Sequence, residues 1–132
     1  MPIESYNCKI HGKTTAYVYK IKSGPTKGLF RRTCRECRAI EVKKLWHELK
    51  CRVIKSYGGK CSCCGENIKE FLTIDHVNGN GKEHRNTIGR GYKLYKWLEK
   101  NNYPKDGFRL LCYNCNCARG QFGQCPHERN KK

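Results

Sequence analysis

The sequence lacks long apolar runs. No stretch approaches the roughly eighteen apolar residues of a membrane-spanning helix, so we expect no membrane partner. The first residues, MPIESYNCKIHGK, are polar and contain no apolar segment typical of a secretion signal, so we expect a cytoplasmic protein. Aliphatic residues are few, and a chain of 132 residues with so small an apolar content needs additional stabilisation to hold a fold.

Acidic residues are also scarce. The chain has 11 Asp and Glu against 28 Lys and Arg, a formal net charge of +17. This charge is larger than solubility requires and predicts a polyanionic partner. Basic residues are interleaved with aromatic ones along the chain, a pattern that favours a folded nucleic-acid-binding surface over a disordered basic tail.

Cysteines supply the missing stabilisation. Their odd number, 11, their Cys-x-x-Cys pairs and the expected intracellular location favour zinc over disulfides. Two such pairs can surround one tetrahedral ion, and a similar set lies nearer the N-terminus. We predict two closed, structural zinc sites, formed by Cys61, Cys64, Cys112 and Cys115 and by Cys8, His11, Cys34 and Cys37.

The chain divides into three predicted parts of a small, zinc-stapled α+β protein. Residues 1–38 form a zinc ribbon, in which a strand around Tyr17–Ile21 returns at Leu29-Phe30. Residues 39–57 show the apolar spacing of an amphipathic linking helix. Residues 58–132 form the second zinc module.

Turn residues and apolar patterns divide this module further. We predict strands over Phe71–Ile74 and Phe108–Leu111, a helix over Tyr92–Lys100, and a helix from about Asn114 that Gly120 and Gly123 interrupt.

Asp75 and His76 follow the first of these strands. A carboxylate can hold a hard divalent cation, and an imidazole can accept a proton near neutral pH. Neighbouring side chains on a strand point to opposite faces, so the pair can converge only where the strand ends or bends. Taken alone, the pair also fits a solvated turn.

The complete order of strand, Asp-His, turn, strand, Cys-x-x-Cys-Asn and helix resembles the HNH endonucleases, whose ββα-metal motif has this order. The closer likeness is to phage recombination endonuclease VII-like and other small phage HNH proteins. The segment Phe108–Asn116 carries most of it, with Gly120-Gln121, and the likeness covers about residues 57–127. The expected fold is therefore an N-terminal zinc ribbon, a linking helix and a ββα-metal module, in a protein cytoplasmic in the host cell if a phage encodes it.

The resemblance implies a DNA endonuclease. Asp75 and Asn116 would bind one catalytic Mg²⁺ or Mn²⁺, and His76 would be the general base for water attack that leaves a 5′-phosphate. The alternative is a non-catalytic zinc-ribbon nucleic-acid-binding protein, in which these three residues are turn and cap residues. An RNA nuclease on the same scaffold is a third possibility.

Two positions depart from the family pattern. Gly107 stands where many HNH sequences have an Asn that orients the base. Asn78, two residues after His76, would help to position the metal or phosphate instead, and Asn114 is another candidate. Arg119 stands where endonuclease VII-like sequences have an acidic residue, and we predict that it contacts phosphate. Junction-resolving activity is therefore not implied.

Further DNA contacts are predicted at His84, Arg85, Arg31 and Arg32, although His84-Arg85 also fits a solvated loop. Cys63 is interpreted as a spare thiol. Cys117, Cys125 and His127 could bind a third metal or brace the C-terminal tail. The sequence leaves a homodimer, the cutting mode and the DNA specificity open.

Overall fold

Three antiparallel strands begin the chain in the computed structural model, which describes residues 1–129 and 131. They are β1 (Ile3–Cys8), β2 (Gly12–Lys20) and β3 (Phe30–Cys34), with β2 in the centre. The predicted hairpin of β2 and β3 is confirmed, and Ala16 lies opposite Cys34. β1 was not predicted, because it is a polar edge strand whose side chains are exposed over most of its length.

A long helix, α1 (Arg35–Ser56), follows β3 directly. It begins four residues before the predicted start at 39, because Cys37 of the second knuckle already lies in its first turn. Its buried side chains are Leu49, Val53 and Ile54. The chain divides into two compact units inside this helix, Met1–Trp46 and His47–Lys132.

The second unit contains a two-stranded antiparallel sheet and several helices. After a 3₁₀ turn (Lys69–Phe71) come β4 (Leu72–His76), α2 (Gly81–Ile88), α3 (Tyr92–Lys100), β5 (Phe108–Cys112), α4 (Tyr113–Phe122) and α5 (Pro126–Arg129). β4 pairs with β5, with Leu72 opposite Cys112 and His76 opposite Phe108. α4 packs against both strands.

The predicted elements of this unit are found, and the two strands and α4 have shifted ends. α3 has the predicted bounds and buries Leu94, Tyr95 and Leu98. α4 runs through Gly120 without a break and ends at Gly123, whose φ of 74° gives a left-handed cap. α2 was not predicted, since it is a short polar helix that starts at a glycine and is followed by another.

The apolar core is small, and cysteines form much of it. In the first unit the buried hydrophobic residues are Cys8, Ala16, Val18 and Cys34. The second unit adds Leu49, Val53, Ile54, Leu72, Leu98, Leu110 and Leu111 to its own buried cysteines. The protein is therefore a small α+β fold whose Cys and His clusters could hold metal ions. In the described part of the chain, no helix has the length and hydropathy needed to cross a bilayer.

Candidate functional site

The N-terminal cluster contains the four predicted ligands Cys8, His11, Cys34 and Cys37. His11 Nδ1 lies 3.7, 3.6 and 3.4 Å from the sulfurs of Cys8, Cys34 and Cys37. Zn–S and Zn–N bonds of about 2.3 and 2.0 Å predict S···N edges of about 3.5 Å in a tetrahedral site. The other ring nitrogen of His11 lies 3.9 Å from a Glu36 carboxylate oxygen, the kind of partner that orients a histidine ligand.

The four-cysteine cluster contains Cys61, Cys64, Cys112 and Cys115, as the sequence predicts. The sulfurs of Cys64 and Cys112 are 3.7 Å apart, close to the roughly 3.8 Å edge of a tetrahedral zinc–thiolate site. Cys112 ends β5 and caps α4, where its sulfur accepts a hydrogen bond from the Cys115 N–H. The Cys34-x-x-Cys37 knuckle likewise lies where β3 passes into α1, so each cluster fixes one strand-to-helix junction.

Several of these thiols have shifted pKa values. Backbone N–H groups of His11 and Ile10 lower the pKa of Cys8 to about 6. Burial raises the pKa of Cys61, but N–H groups around its sulfur outweigh burial and lower it to about 6. Burial and the neighbouring thiols raise the pKa of Cys37 to about 11. Cys8 and Cys61 are thus largely thiolate at neutral pH, the form that binds metal ions.

A third group, the C-terminal cluster, contains Cys63, Cys115, Cys125 and His127. This corrects two interpretations of the sequence. Cys63 is a member of a cluster and not a spare thiol, whereas Cys117 is exposed and lies outside it. The adjacent residues Cys63 and Cys64 could have indicated this cluster in the sequence, because two neighbouring thiols can bind to two different metal sites.

Asp75 lies on β4 opposite Arg109 of β5. Arg109 Nε donates a hydrogen bond of 2.8 Å to Asp75 Oδ2, and both side chains are partly exposed. Sequence reasoning missed Arg109, although strand pairing of the two segments would have placed it beside the acidic residue.

His76 is buried at the end of β4. Its Nε2 shares a hydrogen bond of 2.9 Å with Nδ1 of His84, which lies on α2 and not in a loop. The rings of Phe108 and Trp97 enclose this histidine pair, with Trp97 at 4.5 Å from His84 in a T-shaped arrangement. Asp75 is paired with Arg109 and His76 with His84, so each of the two predicted site residues has its own partner.

Burial is the main reason that the pKa of His76 falls below its ordinary value of 6.5. The positive charges of His84 and Arg85 lower it further, and Asp75 opposes them. His76 is therefore a neutral imidazole at pH 7, the form able to accept a proton.

The asparagines predicted for the site lie on separate elements. Asn116 is half-buried on α4, and no hydrogen bond joins it to Asp75 or His76 within the described residues. Asn114 is exposed on the same helix. Asn78 lies beside Gly107, since a Cβ placed on Gly107 would be 4.0 Å from Asn78 Nδ2.

The predicted DNA-contacting arginines differ in how they are held. Arg31 is exposed on β3 and forms no ion pair with any described residue. Arg32, also exposed, donates to Glu4 at 2.9 Å. Arg119 is ion-paired with Glu128, and its Nε is buried without a hydrogen-bond partner in the described chain. A phosphate contact by Arg119 would have to compete with this ion pair.

Comparison with protein-family models, with curated proteins and with solved structures found no match.

Proposed function

We propose that this protein is a divalent-metal-dependent DNA endonuclease of the HNH type, with zinc in its N-terminal and four-cysteine clusters. The observation that carries the proposal is the packing of α4 against the β4–β5 hairpin. This packing puts Asp75 and His76, at the end of one strand, in the same small unit as Asn116, in the first turns of the helix. The four-cysteine cluster holds the junction from which Asn116 projects.

The donor types at the site suit a hard cation. Asp75 Oδ1 and the Asn116 amide oxygen are the kind of ligand that Mg²⁺ and Mn²⁺ prefer. Arg109 Nε donates to Oδ2 of Asp75, and Oδ1 is the oxygen that we assign to the metal. A cation bound there would stabilise negative charge on the scissile phosphate.

His76 has the chemistry of a general base. Burial keeps its imidazole neutral, and the His84 ring fixes its orientation through the 2.9 Å hydrogen bond. His84 is therefore a positioning residue in this proposal. Asn78 would act beside it, because it lies next to Gly107, where the resembled family carries an orienting asparagine.

DNA is the proposed substrate because of charge. A net charge of +17 on 132 residues attracts a polyanion, and phosphate contacts make such binding strongly salt-dependent. Arg31, Arg32 and Arg85 are the proposed phosphate contacts. Arg31 and Arg85 are stronger candidates than Arg32, because Glu4 competes for Arg32 and no acidic partner in the described chain competes for the other two.

A non-catalytic zinc-containing nucleic-acid-binding protein is the second candidate. The burial of His76, only 7% exposed, and the ion pair on Asp75 favour it, since both groups then serve structure. The clusters and the basic charge fit this function equally well.

Nicking of supercoiled plasmid in Mg²⁺ separates the two. We expect wild-type protein to produce nicked or linear DNA and His76→Ala to lose at least about 100-fold in rate, the usual contribution of a general base. His47→Ala is the matched control, because His47 is an exposed histidine on α1. Each variant is first shown to retain zinc and its circular dichroism spectrum.

Cutting at wild-type rate by His76→Ala would remove His76 from the mechanism. Tight, salt-sensitive DNA binding without any cutting by the wild type, in Mg²⁺ or Mn²⁺, would favour the binding protein.

A further inference from the structure

The C-terminal cluster has the geometry of a metal site in its own right. His127 Nδ1 lies 3.4 Å from the Cys115 sulfur and 3.3 Å from the Cys125 sulfur. All four ligand atoms lie within 4.8 Å of one another, as in the other two clusters. Three separate segments supply them: the loop after α1, the first turn of α4, and the stretch around α5. Such convergence of thiols and an imidazole in a chain with little apolar core is typical of zinc sites.

Cys115 belongs to both clusters of the second unit. Its sulfur lies within 4.8 Å of the sulfurs of Cys61, Cys64 and Cys112 in one cluster and of those of Cys63 and Cys125 in the other. Cys115 is fully buried, at 0% exposure. A thiolate has more than one lone pair and can bind two soft or borderline metal ions at once. If Cys115 served one ion alone, the other cluster would keep only three protein ligands.

We propose that the second unit holds a binuclear zinc centre in which the Cys115 thiolate bridges the four-cysteine cluster and the C-terminal cluster. The protein would then bind three zinc ions, with the third in the N-terminal cluster. The proposal does not depend on nuclease activity.

The charges around the cluster suit two cations. The two clusters of the second unit contain six cysteines: Cys61, Cys63, Cys64, Cys112, Cys115 and Cys125. Six thiolates and two divalent ions therefore leave a net charge of −2. Cationic side chains lie at the same place. Lys131 Nζ donates to the Cys63 carbonyl oxygen at 2.9 Å, and Arg119 is ion-paired with Glu128, the residue after His127.

The centre would also explain the position of the C-terminal segment. α5 is a single short turn without a buried side chain of its own, and Cys125 just before it is 1% exposed. A metal ion held by Cys125 and His127 would join this segment to the first turn of α4. That turn carries Asn116, so the second ion would brace the same helix as the first.

Zinc content tests the number of ions. The full chain, purified with its metal and freed of loosely bound ions, is expected to contain three zinc ions, one for each cluster. Cys63→Ser and His127→Gln should each contain two. Cys117→Ser is the matched control and should keep three, because Cys117 lies on α4 outside every cluster. Two zinc ions in the wild type, with no loss in Cys63→Ser, would overturn the proposal.

Cadmium NMR tests the bridge. In protein exchanged with an NMR-active cadmium isotope we expect one resonance for each of the three clusters, two of them split by mutual coupling through the shared sulfur. His127→Gln should abolish one resonance and the splitting, while the resonance of the N-terminal cluster stays unchanged and shows that the variant is folded. Three resonances without any splitting would show separate ions and refute a bridging Cys115.

Discussion

Gly81 and Gly120 form a pair of helical glycines whose replacement by alanine should have opposite effects. Both have ordinary backbone angles, since neither is among the glycines with positive φ. In a helix, alanine is more favourable than glycine by about 1 kcal/mol. What differs is the space beside each glycine. A Cβ on Gly120 would meet nothing within 4 Å, whereas on Gly81 it would lie 2.8 Å from Arg85 Nη1 and 3.0 Å from His76 Nδ1.

These distances set the expected magnitudes. Gly120→Ala should raise the free energy of unfolding by about 0.5–1 kcal/mol. At Gly81, Arg85 can swing away at little cost, but the buried His76 ring is held by His84 and Phe108. Overpacking of this kind costs about 1–3 kcal/mol, which exceeds the smaller helix gain at the first residue of α2. Gly81→Ala should therefore be neutral or destabilised, and it should displace the His76 imidazole.

Chemical denaturation at a fixed free zinc concentration measures both changes, because metal binding contributes to apparent stability. If Gly81→Ala gained as much stability as Gly120→Ala, the close packing of Gly81 against His76 would be refuted. The nicking assay gives a second readout, in which Gly81→Ala should be slower than Gly120→Ala.

Three further measurements follow from the same structure. Chelation of zinc should unfold the first unit, because it buries little besides Ala16, Val18 and its ligands. Cys34→Ser should unfold the same unit without a chelator. Cys51→Ser is the control and should keep the wild-type circular dichroism spectrum. The nicking rate should fall as the pH drops, with a midpoint below 6.5, because His76 becomes protonated. Arg85→Gln should move this midpoint upward, because it removes a positive charge that lowers the pKa of His76. An unmoved midpoint would exclude His76 as the titrating group. Arg31→Ala should reduce the slope of log affinity against log salt concentration by about one phosphate contact. Arg32→Ala should change this slope less, because Glu4 holds Arg32 at 2.9 Å. Equal slopes in the wild type and both variants would place the DNA elsewhere.

The predictable parts of the fold were those with a strong local signal. Cys-x-x-Cys spacing identified both predicted clusters, and the 3.6-residue rhythm of Leu94, Tyr95 and Leu98 located α3. The C-terminal cluster was predicted only in part. Cys125 and His127 were named as possible ligands, but Cys63 was not, because only the fold brings it to Cys125. His84 was predicted as a DNA contact, but its position on a helix was not, because Ile88 is the only large apolar residue in α2.

Asp75 is where the sequence and the structure differ most, and strand register is the reason. Pairing of β4 with β5 puts Arg109 directly opposite Asp75, a contact that no local pattern contains. The side chain of Arg109 is 27% exposed and that of Asp75 is 18% exposed. We therefore expect the ion pair to stabilise the fold by more than the roughly 1 kcal/mol of a fully solvated pair. The stabilisation should be less than the 3–5 kcal/mol, in order of magnitude, lost when a buried pair is broken. A DNA phosphate could accept the hydrogen bonds of Arg109 and leave neither group unpaired. The ion pair is thus compatible with a metal-binding Asp75 in the DNA complex, and the burial of His76 is the stronger observation against catalysis.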